Sequence, residues 1–278
     1  MAERRDYKIM RETTKNPDSQ AFQNIFRFWQ LILIKVRFNL RSEASQSYLS
    51  YAWWLFEPLM QMCVYYIVFD IFLHRGGENF VAFLLCGIIP WLWFSRSVNN
   101  SSRSIVQGQG LISQTYLPKP FFPLVVIGQD LVKQQVVFLL LVSFLVYYGY
   151  TPILAWLWLI PIVITQMLLI IAVSFIVSFI VPFARDLQYL INAGLMMMMF
   201  GSGIFYSYES VLLPEHREIF LMNPMANLIV NYRMVLMDGT APMTGALLII
   251  SSVSLAVIFL MTRTMKRHNN TLTRLALE

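Results

Sequence analysis

Imidazole chemistry rests on three residues, His74, His216 and His268, and each falls in a loop or tail of the sequence. A zinc peptidase needs two histidines one helical turn apart with a glutamate beside the first, and none of the three has that company. A serine hydrolase working inside a bilayer needs a serine facing a histidine. Gly201-Ser202-Gly203 supplies the serine, but no histidine lies in an apolar run, and the glycines there suit close helix packing. No lysine follows a glycine anywhere, so the phosphate-cradling Gly-Lys-Ser/Thr loop is missing. The paired aspartates of phosphate-transferring membrane enzymes are missing too. Cys63 and Cys86 sit inside apolar runs and read as small core residues, not as a disulfide or a metal pair. These residues offer no enzyme chemistry, and any ATP-driven work would need an ATPase on another chain.

What remains is a set of charges in apolar surroundings: Glu57, Arg96, Asp130 and Lys133. Glu57 falls roughly 14 Å into its apolar run at ~1.5 Å per residue, a depth comparable to that of Arg96. The two either pair, or Arg96 reaches out to lipid headgroups. Asp130 and Lys133 stand three apart on one helix and can neutralise each other, which reads as structural rather than as a proton relay. Tyr65, Tyr66, Phe205 and Tyr206 belong to a larger aromatic set that also includes Trp53, Trp54, Trp91 and Trp93. Such residues form interfacial belts in any membrane protein. They also suit a conduit for sugars, whose rings present apolar faces and hydroxyl edges.

The elements that carry these residues are membrane helices. At 57% hydrophobic and 13% charged, with a mean hydropathy of +0.58, the chain carries about half the charge of a soluble domain. Several runs reach the ~20 apolar residues needed to cross a bilayer, and the alternating ~10-residue strands of a barrel are absent. The sequence predicts an all-α polytopic membrane protein. Its parts are a charged tail over 1–20, an amphipathic interface helix over 21–42, a six-helix transmembrane domain over 48–262, and a basic tail over 263–278. The interface helix sets Arg27, Arg37 and Arg41 against Phe26, Trp29 and Leu33; a soluble packing helix is the alternative. Spans are expected near 48–73, 80–98, 122–148, 154–181, 187–205 and 243–262. Between the last two, residues 206–242 hold two short helical pieces separated by Asn223-Pro224, too polar to cross and suited to a re-entrant segment.

A polar island, residues 96–120, separates the second and third spans. Gln107, Gln109, Leu111, Ile112 and Tyr116 form a short amphipathic stretch, and Pro118 and Pro120 end any helix before the next run. So long a connector reads as a grip for a motor protein or as a solvated hinge. Of the 21 lysines and arginines, the outer segments of a six-span arrangement hold only Arg75, Arg217 and Arg233, and Lys133 lies within the membrane. The rest fall inside, which predicts cytoplasmic termini and a cytoplasmic island. The net charge of +6 then reports topology and not nucleic-acid binding.

Four blocks in order resemble the membrane subunit of type-2 ABC exporters for polysaccharides: SYLSYAWWLFEPLMQM in the first span, the stretch from Phe83 to Leu124 around Gly87, Pro90-Trp91, Phe94 and Leu111-Ile112, FARDLQYL before the fifth span, and MNPMANLIVNYRMVLMDG through Asn223-Pro224, Tyr232-Arg233 and Gly239. The block after the second span is similar to the O-antigen and teichoic-acid branch. GSGIFYSYES departs from the family, which usually carries prolines near Ser202 or Gly203 and after the tyrosine.

The resemblance implies a permease half, itself without cofactor, that moves lipid-linked polysaccharide, O-antigen first among the candidates, across the bacterial inner membrane. It implies a homodimer with two ATP-binding subunits that hold ATP and Mg. It makes 107–117 a coupling helix, with Gln107, Gln109, Leu111, Ile112 and Tyr116 as its contacts, and Tyr65, Tyr66, Phe205 and Tyr206 conduit residues. Export of teichoic acid, capsule, a drug or a small lipid is the alternative within the superfamily. A membrane enzyme acting on lipid-linked sugars is the alternative outside it.

Overall fold

The computed structural model describes residues 17–46, parts of 52–72, and 79–277 apart from positions 116 and 212. Every regular element among the described residues is helical. In chain order these are α1 (Pro17–Gln46), a π-helical turn (Ile67–Phe72), α2 (Phe80–Ser102), α3 (Ser104–Gln107), α4 (Gln109–Ile112) and α5 (Phe121–Tyr147). A 3-10 turn (Leu154–Trp158) then leads into α6 (Leu159–Ile180), followed by α7 (Leu187–Phe200), α8 (Tyr208–Val211), α9 (Pro214–Leu221), α10 (Pro224–Leu236), α11 (Thr244–Arg267) and α12 (Asn269–Leu277).

Four helical stretches, Phe80–Ser102, Phe121–Tyr147, Leu154–Ile180 and Thr244–Arg267, are long and apolar enough to cross a membrane. The chain is a multi-pass membrane protein. The expected first span lies largely outside the described residues. The expected fifth span ends at Phe200 instead of 205, because Gly201-Ser202-Gly203 turns the chain and Gly203 adopts φ +69°, a left-handed conformation that favours glycine. At 14 residues α7 is about 21 Å long.

α2 is the central helix, packed against α5, α6, α7 and α10. Its Trp91, Trp93 and Phe94 are buried, as are Leu84 and Ile88. Pro90 lies inside α2, and its missing N–H frees the carbonyl of Cys86. One turn of neighbours answers the polar backbone there. Gln166 of α6 donates to the Pro90 carbonyl at 2.7 Å, and the Tyr232 hydroxyl of α10 donates to the Gln166 Oε1 at 2.7 Å. Three helices are thereby tied by one side-chain amide.

α1 is longer than the predicted interface helix at both ends. It buries Ile32 and Val36 against α5 and exposes Phe26, Trp29, Leu33 and Phe38. Gly128 permits the approach, since a Cβ there would stand 2.9 Å from a Val36 methyl. The connector after α2 is not one helix over 107–117 but two single turns, α3 and α4, parted at Gly108. A Cβ at Gly108 would stand 2.3 Å from the Phe122 ring, so the first residues of α5 hold the break in place. Residues 206–242 hold three helical pieces, α8, α9 and α10, rather than two. Asn223 caps α10 by accepting from the Met225 and Ala226 amides at 3.0 and 3.4 Å, with Pro224 at the first helical position.

The basic tail is also different. Helix α11 continues to Arg267, and α12 folds back against α3 and α4 with Asn269, Leu272 and Ala276 buried. Residues from α1, α3, α4, α5, α6, α11 and α12 meet in one apolar cluster at the connector end, where Ile32, Ile105, Ile112, Phe122, Phe175 and Leu272 pack together.

Candidate functional site: a polar groove at the connector end

The polar residues that interrupt the apolar helices recur one turn apart: Asn99 in the last turn of α2 and Arg103 just after it, Gln129 and Lys133 on α5, Gln188 and Asn192 on α7. Such spacing places each pair on one helix face. The packing of α2 between α5 and α7 brings the three pairs together around a cavity of about 390 Å³, whose lining also includes Glu43, Asn100, Gln107 and Asp130. Its volume falls in the range of small-molecule sites. Only Val126 among the lining residues is apolar.

The bonds within it cross between helices. The Arg103 Nε donates to the Gln188 Oε1, and the Gln188 Nε2 donates to the Asn99 Oδ1 at 3.1 Å. Asn100 Nδ2 donates to the buried Asp130 carboxylate at 3.3 Å. Lys133 does not turn to Asp130 alone: its Nζ lies 2.7 Å from the Glu43 Oε2 of α1, which closes one side of the cavity. The expected Asp130–Lys133 neutralisation is thus shared with Asn100 and Glu43. The side chains of Gln107, Gln129 and Asn192 make no hydrogen bond among the described residues, which leaves three amides able to meet a polar ligand or water.

A second cavity, about 340 Å³, adjoins the first through Asn99 and Asn192, which line both. It continues along the α2–α7 groove past Trp91, Ser95, Leu195 and Met199 and includes Gln61. The groove therefore passes from an almost wholly polar chamber to a mixed one. α7 itself turns Tyr189, Leu190, Met196 and Met197 outward, and Gln188 is its one buried residue.

The other predicted site residues divide. Glu57, Tyr65, Tyr66 and Tyr116 lie outside the described residues. Arg96 is half-buried on α2. Leu111 is half-buried and Ile112 is buried in the connector-end cluster, where it packs inward. Gln107 and Gln109 stay accessible. Phe205 is buried against Phe200, 5.5 Å between ring centres, and the Tyr206 hydroxyl donates to the Phe200 carbonyl at 3.0 Å. Both are placed to brace the turn after α7, at the far end from the polar chamber.

That turn contains a feature the residue tally missed. Arg233 of α10 is buried, with its guanidinium carbon 3.4 Å from the Phe83 ring centre. It donates through Nη1 to the Gly203 carbonyl at 2.7 Å, through Nη2 to Ile204 at 2.8 Å, and through Nε and Nη2 to Phe83 at 3.3 and 3.2 Å. The glycine at position 87 makes room, since a Cβ would stand 2.7 Å from Nη2. The turn that lacks the family's prolines is held by an arginine. Nearby Asp238 is pushed above the usual carboxylate range by burial and by Glu209, with Arg233 opposing.

A bundle of apolar helices with a polar groove running between them defines a multi-pass membrane protein. Two O-antigen export system permease proteins RfbA of Klebsiella pneumoniae are 31% and 30% identical to this chain over 219 and 218 residues, covering 78% of it and 84% and 83% of themselves. A protein of the same name from Myxococcus xanthus is 24% identical over 240 residues, 85% of this chain and 92% of that one. No protein-family model matches. The chain belongs to the O-antigen export system permease family.

Proposed function

We propose that this chain is the transmembrane permease half of an ATP-driven exporter that carries lipid-linked O-antigen polysaccharide across the bacterial cytoplasmic membrane. Two copies flank one path, six spans each, with both termini and the α3–α4 connector on the cytoplasmic side. Two ATP-binding subunits dock at the connectors, and ATP and Mg are held there. The outer segment 206–242 is re-entrant. The observation that carries this reading is the α2–α7 groove. A hydroxyl-rich polymer needs hydrogen-bonding groups on the membrane face it passes, and such groups are costly against lipid. A second copy laid over the exposed side of α7 removes that cost and closes the groove into a conduit. Asn99 and Asn192 stand where its two chambers meet and are the conduit residues of this reading, in place of Phe205 and Tyr206. Glu43, on the interface helix, borders the chamber where the lipid-linked substrate would come in from the inner leaflet.

The test is paired. A strain lacking this chain should lose surface polysaccharide, and the wild-type gene should restore it only together with its ATP-binding subunit. An Asn99→Leu, Asn192→Leu double variant should restore less than a tenth as much while inserting into the membrane at wild-type levels. Full export by that variant removes the groove from the path. Full export without the ATP-binding subunit removes the ATP-driven reading altogether.

A further inference from the structure

We infer that α12 is the second half of the platform on which the ATP-binding subunit docks, so that the subunit grips a composite of the α3–α4 connector and the helix Asn269–Leu277. The inference rests on the reading that such a subunit docks at the connector. The connector by itself is small. It offers two four-residue helices, and two of their four apolar residues, Ile105 and Ile112, are turned into the chain's own core. A lasting protein interface takes roughly 20–30 residues on each side, so neighbouring surface must contribute.

α12 is that neighbour. Asn269, Leu272 and Ala276 lie on one face and are buried, with α3 and α4 among the packing partners. The opposite face, Asn270, Thr271 and Arg274, is exposed and polar. Lys266 and Arg267, exposed at the end of α11, extend it with positive charge. The ring of His268 meets Phe179 of α6 edge-on at 5.9 Å and fixes the bend between the two helices. The connector and α12 share one apolar cluster with Ile32 and Val36 of α1 and Phe175 of α6, so a push on either is carried into the membrane helices as a unit. The basic outer face fits an acidic patch on the partner.

The experiment is co-purification of the ATP-binding subunit with the full-length chain from membranes. One variant carries Asn270→Glu, Thr271→Glu and Arg274→Glu; another carries Asn270→Gln, Thr271→Ser and Arg274→Lys. Both variants leave the buried face of Asn269, Leu272 and Ala276 untouched, and both are compared only after melting like wild type. The acidic variant should recover about tenfold less subunit per permease, ~1.4 kcal/mol of association, and the conservative one should match wild type. If wild type recovers none, the underlying docking reading falls. If wild type and the acidic variant recover equal amounts, only the part assigned to α12 falls.

Discussion

Replacing Arg233 by methionine should cost more stability than any other single change at the end of the bundle away from the connector. The guanidinium makes two short bonds, to Gly203 and Ile204, and two longer ones to Phe83. Charge-assisted bonds contribute about 1.5–3 kcal/mol each. Methionine fills much of the volume and removes the cost of burying a charge, but it strands carbonyls in a turn that protein surrounds. Weighing these, the loss should be about 3–5 kcal/mol, the range for removing one partner of a buried charged network. At ~2–4 °C per kcal/mol for a chain of this order of size, purified protein in nanodiscs should melt roughly 10 °C lower. Lysine should recover part of this, since one ammonium cannot fork to three carbonyls. Gly87→Ala supplies the control. Its Cβ would stand 2.7 Å from Nη2, and an arginine pinned at three carbonyls cannot swing away without breaking bonds. Alanine should therefore destabilise the wild type and be nearly silent beside Arg233→Met, a coupling of about 1–3 kcal/mol in a double-mutant cycle. Melting of Arg233→Met within ~2 °C of wild type, or an equal cost of Gly87→Ala in both backgrounds, would refute the clamp.

Two further outcomes concern the connector. Gly108→Ala must push the Phe122 ring, 2.3 Å from the new Cβ, and so tilt α3 against α4; export should fall severalfold with membrane insertion intact, measured as surface polysaccharide per permease. Lys119 is buried, 5.9 Å from the Phe122 ring centre, and burial holds its pKa below the usual lysine range. A lowered lysine pKa means that the ammonium costs stability at neutral pH and that this cost fades as pH rises through the folded-state value. Lys119→Met should accordingly melt at or above the wild-type temperature near pH 7, and a clear drop would show that the charge is held by something stronger than the ring.

Much of the fold was written in local pattern. Hydropathy set the stretches Phe80–Ser102, Phe121–Tyr147 and Leu154–Ile180 to within a few residues, and Asn223-Pro224 announced the start of α10, because apolar length and capping chemistry act over a few residues. Composition set the class, and four blocks in order pointed to the family that the relatives show. Which polar residues face one another was decided only in three dimensions. Gln188 meets Arg103 and Asn99 across 85 and 89 positions, and Arg233 reaches Phe83 across 150. Along the chain Arg233 counts as one more outer charge, and nothing in local pattern singles out Gln188 or Asn192. Periodicity states which face of a helix a residue occupies but not which neighbour covers that face. That choice belongs to helix packing, which also turned Ile112 inward and folded a basic tail into α12 beneath the connector.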